Sequence, residues 1–63
     1  MKIRTVIKHE GDQDVLVEMK DLVENDKFTL KEPDGTLVGT YIADSKSFKN
    51  DAGIQTIMIR DKI

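Results

Sequence analysis

The chain's one histidine, His9, is followed by Glu10 and stands near Asp12 and Asp14. An imidazole beside carboxylates is the raw material of an acid–base pair, because histidine changes charge near neutral pH and a carboxylate can orient it. Position argues against that use. Glu10-Gly11-Asp12-Gln13 reads as a turn, and a histidine at a hairpin mouth is ordinarily solvated. Further acids follow at Asp21, Glu24 and Asp26, a density that suggests calcium. The D-x-D spacing of Asp12 and Asp14, however, lacks the glycine and the closing glutamate of an EF-hand loop. With one His and no Cys, His-based metal clusters, thiolate sites, disulfides and a cysteine nucleophile are excluded. Gly35 and Gly39 belong to a hairpin rather than a phosphate loop, and no serine sits in a nucleophile-elbow context. A barrel of this size also has little room to enclose a ligand pocket of ~300 Å³. The expectation is a protein without catalysis, metal or cofactor.

Two surface constellations remain. Residues 9–27 carry seven acids against only Lys20 and Lys27, within a chain of net charge -2. Asp12, Asp14, Glu18, Asp21, Glu24 and Asp26 form a candidate acidic stripe that would meet a basic partner protein or imitate nucleic-acid phosphate. The plainer reading is a solvated surface of mixed sign that aids solubility. The second constellation is Tyr41 with Lys46, Phe48, Lys49 and, further on, Arg60. Aromatics for stacking and cations for phosphate are what single-stranded nucleic acid uses. A chain with three aromatics can spare few of them, so Phe48 is expected to tuck into the core and Tyr41 to cap a barrel end. Nucleic acid is therefore the alternative partner and a protein the leading one.

The elements that must position these residues read mostly as β. Ile3, Thr5 and Ile7 alternate with Lys2, Arg4 and Lys8, and Val15, Val17 and Met19 alternate with Asp14, Glu18 and Lys20. A first hairpin across residues 2–20 follows. Phe28 and Leu30 mark a short strand over 27–31, and Glu32-Pro33-Asp34-Gly35 turns it into a second strand over 36–43. Residues 44–53 are polar and read as a loop, and 54–60 as the last strand. Residues 13–25 also place Val15, Leu16, Met19, Leu22 and Val23 on helical spacing, with Asp12 or Asp14 as a cap. Strand is preferred there because Val17 lies off that stripe. The fold expectation is all-β, a small five-stranded barrel or meander. The alternative is α+β, with one helix at about 13–25 on a four-stranded sheet.

Asp21-Leu22-Val23-Glu24-Asn25-Asp26-Lys27-Phe28 resembles the D-L-x-x-x-D-x-F lead into a strand found in small SH3-like β-barrel proteins, many of them phage-encoded. The resemblance covers residues 19–42. Where such segments carry Gly before the second Asp this chain has Asn25, which also tolerates the left-handed conformation. It implies a barrel and a phage or mobile-element origin, and no mechanism.

At 63 residues the chain makes one domain with a small core, the size at which a partner subunit often adds buried area. Ile54 and Met58 fall on one face of the expected last strand and Ile57 and Ile59 on the other, with a similar duplication over 36–43. A second apolar face needs a cover, so a homodimer is expected, with Ile57 and Ile59 crossing the interface. No signal-peptide run or membrane span occurs, which leads to the expectation of a cytoplasmic protein. The functional expectation is a non-enzymatic protein-interaction module, in line with a phage or mobile-element accessory or inhibitory factor that binds a host protein. The alternatives are a small nucleic-acid-binding barrel and a structural subunit of a larger assembly.

Overall fold

The computed structural model describes residues 4–63. The start of the expected first strand, at Lys2 and Ile3, lies outside the described residues. The chain forms strands β1 (Thr5–Glu10), β2 (Gln13–Val17), β3 (Lys27–Lys31), β4 (Leu37–Ala43), β5 (Phe48–Lys49), β6 (Gln55–Thr56) and β7 (Ile59–Lys62). One five-stranded antiparallel sheet runs in the order β2-β1-β3-β4-β7, and β5 pairs with β6 in a separate ribbon. The all-β expectation is met.

The first hairpin closes through Gly11 and Asp12, with Glu10 opposite Gln13. Gly11 has φ +58°, and a two-residue hairpin turn with glycine at its first position suits the twist of the strands. That register places His9 opposite Asp14 and Ile7 opposite Leu16. In the second hairpin the Asp34 carboxylate accepts the Thr36 N–H at 2.8 Å, and the Gly35 N–H bonds the Glu32 carbonyl at 2.9 Å. A bulge at Leu30/Lys31 then sets Thr29 opposite Thr40 and Phe28 opposite Tyr41.

Two expectations are corrected, and the alternative of a helix gives way to the preferred strand. The sheet does not close into a barrel: β2 and β7 are its two edges and do not pair with each other. No helix occupies residues 13–25. Gln13–Val17 is a strand, and the only helical turn is the single 3₁₀ turn Met19–Asp21, where the Glu18 N–H bonds the Asp21 carboxylate at 3.1 Å. Cross-strand pairing of Val15 and Val17 with β1 takes precedence over the helical spacing. The last strand is interrupted at Ile57 and Met58, so its halves serve different partners. Gln55–Thr56 pairs with Phe48–Lys49, inside what read as loop, while Ile59–Lys62 pairs with β4. This break is why the edges never meet. The residues that would have continued one long closing strand instead fold back over the sheet.

The core is small: Val6, Leu22, Phe28, Leu30 and Ala43 are buried, with Val17, Met19, Val38, Tyr41 and Ile57 packed against them. Leu22 reaches it from the segment before β3, held by a tight turn. The Asp26 carboxylate accepts the Val23 N–H at 2.9 Å, and Asn25 adopts φ 75°. The Asn25 N–H bonds the Ala43 carbonyl at 2.9 Å, which ties this turn to the end of β4.

Candidate functional site

Two polar or apolar constructions stand on opposite faces of the sheet. On the open face, four side chains from four adjacent strands form one hydrogen-bonded line. Asp14 Oδ1 lies 2.7 Å from His9 Nδ1, His9 Nε2 lies 2.6 Å from Thr29 Oγ1, and Thr29 Oγ1 lies 2.8 Å from Thr40 Oγ1. Cross-strand register makes the line, since His9 faces Asp14 on β2 and Thr29 faces Thr40 on β4. A carboxylate, an imidazole and a hydroxyl in this order resemble an acyl-transfer triad. A nucleophile must present its oxygen to a substrate, however, and Thr29 is only 8% exposed with a second bond to Thr40. The line satisfies buried hydroxyls and fixes register.

On the core face lies an open groove of about 920 Å³. Its floor is Val6, Phe28, Leu30 and Tyr41, with Val17 and Met19 along one side and Ile54, Ile57 and Ile59 along the other. The space is open to solvent rather than enclosed. Gln55–Thr56 pairs outside the sheet, and the space lined by both stays open. Tyr41 packs against Phe28 with ring centroids 5.8 Å apart, and its ring lies over Gly39. The charges at the groove are paired within the chain: Arg4 with Glu32 at 2.5 Å and Lys20 with Glu18 at 3.2 Å. The bond to Glu18, ahead of the charge of Asp21, raises the Lys20 ammonium above its usual range.

Most residues of the acidic stripe bond groups of the chain itself, although five of the six are exposed. Asp14 is spent on His9, Asp21 on the turn backbone, and Asp26 on Val23 and on Lys8 at 3.5 Å. Lys8 also meets Glu10 at 3.0 Å, and the Glu10 bond, followed by the Asp26 charge, raises its pKa. Asp12 sits in the first hairpin turn and Glu24 in the turn before β3, both exposed. Among the described residues no three His, Cys, Asp or Glu side chains converge as metal ligands.

The basic–aromatic constellation is divided. Phe48 does not tuck into the core as expected; it is 40% exposed on the β5–β6 ribbon, beside Lys46 and Lys49. Two-residue strands are too short to carry it inward, and Leu22 already fills the core below. Tyr41 caps no barrel end but lies in the groove, and Arg60 donates to Asn25 Oδ1 at 2.6 Å and pairs with Asp61. Of the expected interface residues, Ile57 packs on the core while Ile59 is exposed at the groove.

Thr29 and Thr40 were not singled out from the sequence, and Ile54 and Tyr41 were named there without being placed together at a groove. A bulge sets the threonine register and a strand break makes the groove, and neither has a local sequence signal. No helix among the described residues is long and apolar enough to cross a membrane. Family models, curated proteins and solved structures give no match to this chain.

Proposed function

We propose that the protein is a non-enzymatic protein-interaction module that takes an extended, uncharged apolar segment of a partner polypeptide into the groove between the sheet and the interrupted last strand. The observation that carries this reading is the groove itself: about 920 Å³, floored by core side chains and flanked by Ile54 and Ile59, both exposed. Apolar surface of that kind, rimmed by polar groups, is characteristic of interaction sites. The rim favours a neutral occupant, because Arg4 and Lys20 already hold carboxylates. It also argues against a basic partner steered by the acidic residues, most of which serve the chain's own turns and strands.

A photoreactive residue in place of Ile54 identifies the partner in the cell that makes the protein, and the purified partner is then titrated. Ile59→Asp is expected to weaken binding at least tenfold, about 1.4 kcal/mol. Lys46→Glu with Lys49→Glu is expected to leave it unchanged. Binding that survives Ile59→Asp overturns the reading. A nucleic-acid ligand, recognised by loss in the Lys46→Glu, Lys49→Glu variant and by steep salt dependence, also overturns it.

A further inference from the structure

The two edges of the sheet are not alike. β7 carries Arg60, Asp61 and Lys62 on its exposed edge, and its pairing with β4 shifts register at Ile42/Ala43. Charges and a bulge are the usual protections of an edge. β2 has Val15, Leu16 and Val17 in succession, with no Lys, Pro or register shift in its pairing with β1. Leu16 is 74% exposed, more than any other large apolar side chain among the described residues.

We propose that β2 pairs with β2 of a second copy, antiparallel, so that two sheets join into one of ten strands. Symmetry decides the register. When a twofold axis relates antiparallel edge strands it stands perpendicular to the sheet, each face continues onto itself, and only residues of the same parity lie opposite each other. An axis at Leu16 sets Leu16 against the Leu16 of the second copy and Val15 against its Val17, twice over. On the open face Ile7, opposite Leu16 in its own hairpin, extends the apolar row on both sides of the axis. On the core face the Val15–Val17 pairs join Val6, opposite Val17, to the seam. At the ends Asp14 comes opposite Glu18 of the second copy. Asp14 arrives hydrogen-bonded to His9 at 2.7 Å, and Glu18 paired with Lys20 at 3.2 Å.

The same construction fails at β7. An axis at Asp61 sets Asp61 against Asp61 and Arg60 against Lys62, and an axis at Arg60 sets Arg60 against Arg60. Like charges directly opposite are destabilising. A β2–β7 pairing is head-to-tail and would run on as a filament rather than close. A second copy on β2 therefore fits by its central apolar row and by closure, with like charges only at the ends rather than at the axis. It also supplies the area that a core of five buried residues lacks. The seam reaches the groove through Val17 and Glu18, but Leu16 is on the opposite face and lines none of it, so Leu16→Lys tests this pairing apart from the groove.

Light scattering after size exclusion, at concentrations up to hundreds of micromolar, is expected to give about 14 kDa, twice the 7.2 kDa chain. Leu16→Lys sets two ammonium groups face to face at an exposed position, and it is expected to give 7.2 kDa with unchanged circular dichroism. Because the chain has no cysteine, Leu16→Cys offers a direct reading. Opposed residues in paired strands fall within disulfide reach. Leu16→Cys is expected to cross-link under mild oxidation at least tenfold faster than Leu37→Cys, an exposed position on β4 (62% against 74%). The proposal is overturned by a monomer at every concentration, by a dimer that survives Leu16→Lys, by mass that grows beyond the dimer, or by equal cross-linking rates.

Discussion

A Cβ atom added at Gly39 would stand 2.7 Å from Tyr41 Oη and 2.9 Å from its Cζ, so the Tyr41 ring occupies the space that a side chain at Gly39 would need. Glycine two residues before an aromatic on the same strand lets the ring lie flat along the backbone. There it forms part of the groove floor and meets Phe28.

Gly39→Ala is expected to push the ring aside and destabilise the protein by about 1–2 kcal/mol, the range of overpacking in a well-packed core. In a Tyr41→Ala background the same change is expected to be neutral or slightly stabilising, since alanine restricts the unfolded chain. Urea unfolding of the four proteins of this cycle measures the coupling, and additive effects would contradict the contact.

Thr29→Val keeps the side-chain shape but removes the hydroxyl that links His9 to Thr40. Two polar groups then lose a partner on a half-covered face, with an expected cost of about 1–3 kcal/mol. The loss is read from the shift of the denaturation midpoint. With Asp14 accepting from Nδ1 and Thr29 donating to Nε2, the neutral imidazole is expected to carry its proton on Nδ1. Nitrogen-15 shifts of His9 check this.

The Asp34 carboxyl is held below the ordinary aspartate value, first by the Thr36 backbone N–H and then by the Thr36 side chain. A depressed folded-state pKa contributes stability that is complete above the unfolded value and lost as pH falls through the folded one. Wild type is therefore expected to gain stability over Asp34→Ala above about pH 4, with the difference vanishing below the folded value. Unfolding at a series of acid pH values shows whether the two curves converge.

Phe28 is fully buried and is one of the two largest such side chains. At ~0.05–0.15 kcal/mol per residue the whole fold holds about 3–9 kcal/mol, and Phe→Ala in a core costs about 3–5. Phe28→Ala is expected to leave a largely unfolded chain at 37 °C by circular dichroism. Retained cooperative unfolding would place the centre of the core elsewhere.

Much of the hairpin structure was legible because turn chemistry and alternation coincide. Gly11 sets the β1–β2 register, which is why the neighbourhood of His9 and Asp14 could be read from spacing alone. The turn at Pro33 to Thr36 leads without a bulge to Thr29 opposite Gly39. The bulge at Leu30/Lys31 adds one residue and sets Thr29 opposite Thr40 instead. No residue type announces that shift. The last strand misled for a related reason. Ile54 to Arg60 is continuously β-prone, and only tertiary pairing divides it at Ile57 and Met58 between the ribbon and the sheet. The open groove is a consequence of that division, so pattern reading had no access to it.

The central claim, that the groove receives a polypeptide, is tested most directly by photocrosslinking from two positions in living cells, Ile54 at the groove and Lys46 before the ribbon. A single discrete polypeptide adduct from Ile54, abolished by Ile59→Asp and absent from Lys46, is the predicted result. Adducts to nucleic acid from Lys46, or an Ile54 adduct indifferent to Ile59→Asp, would contradict it.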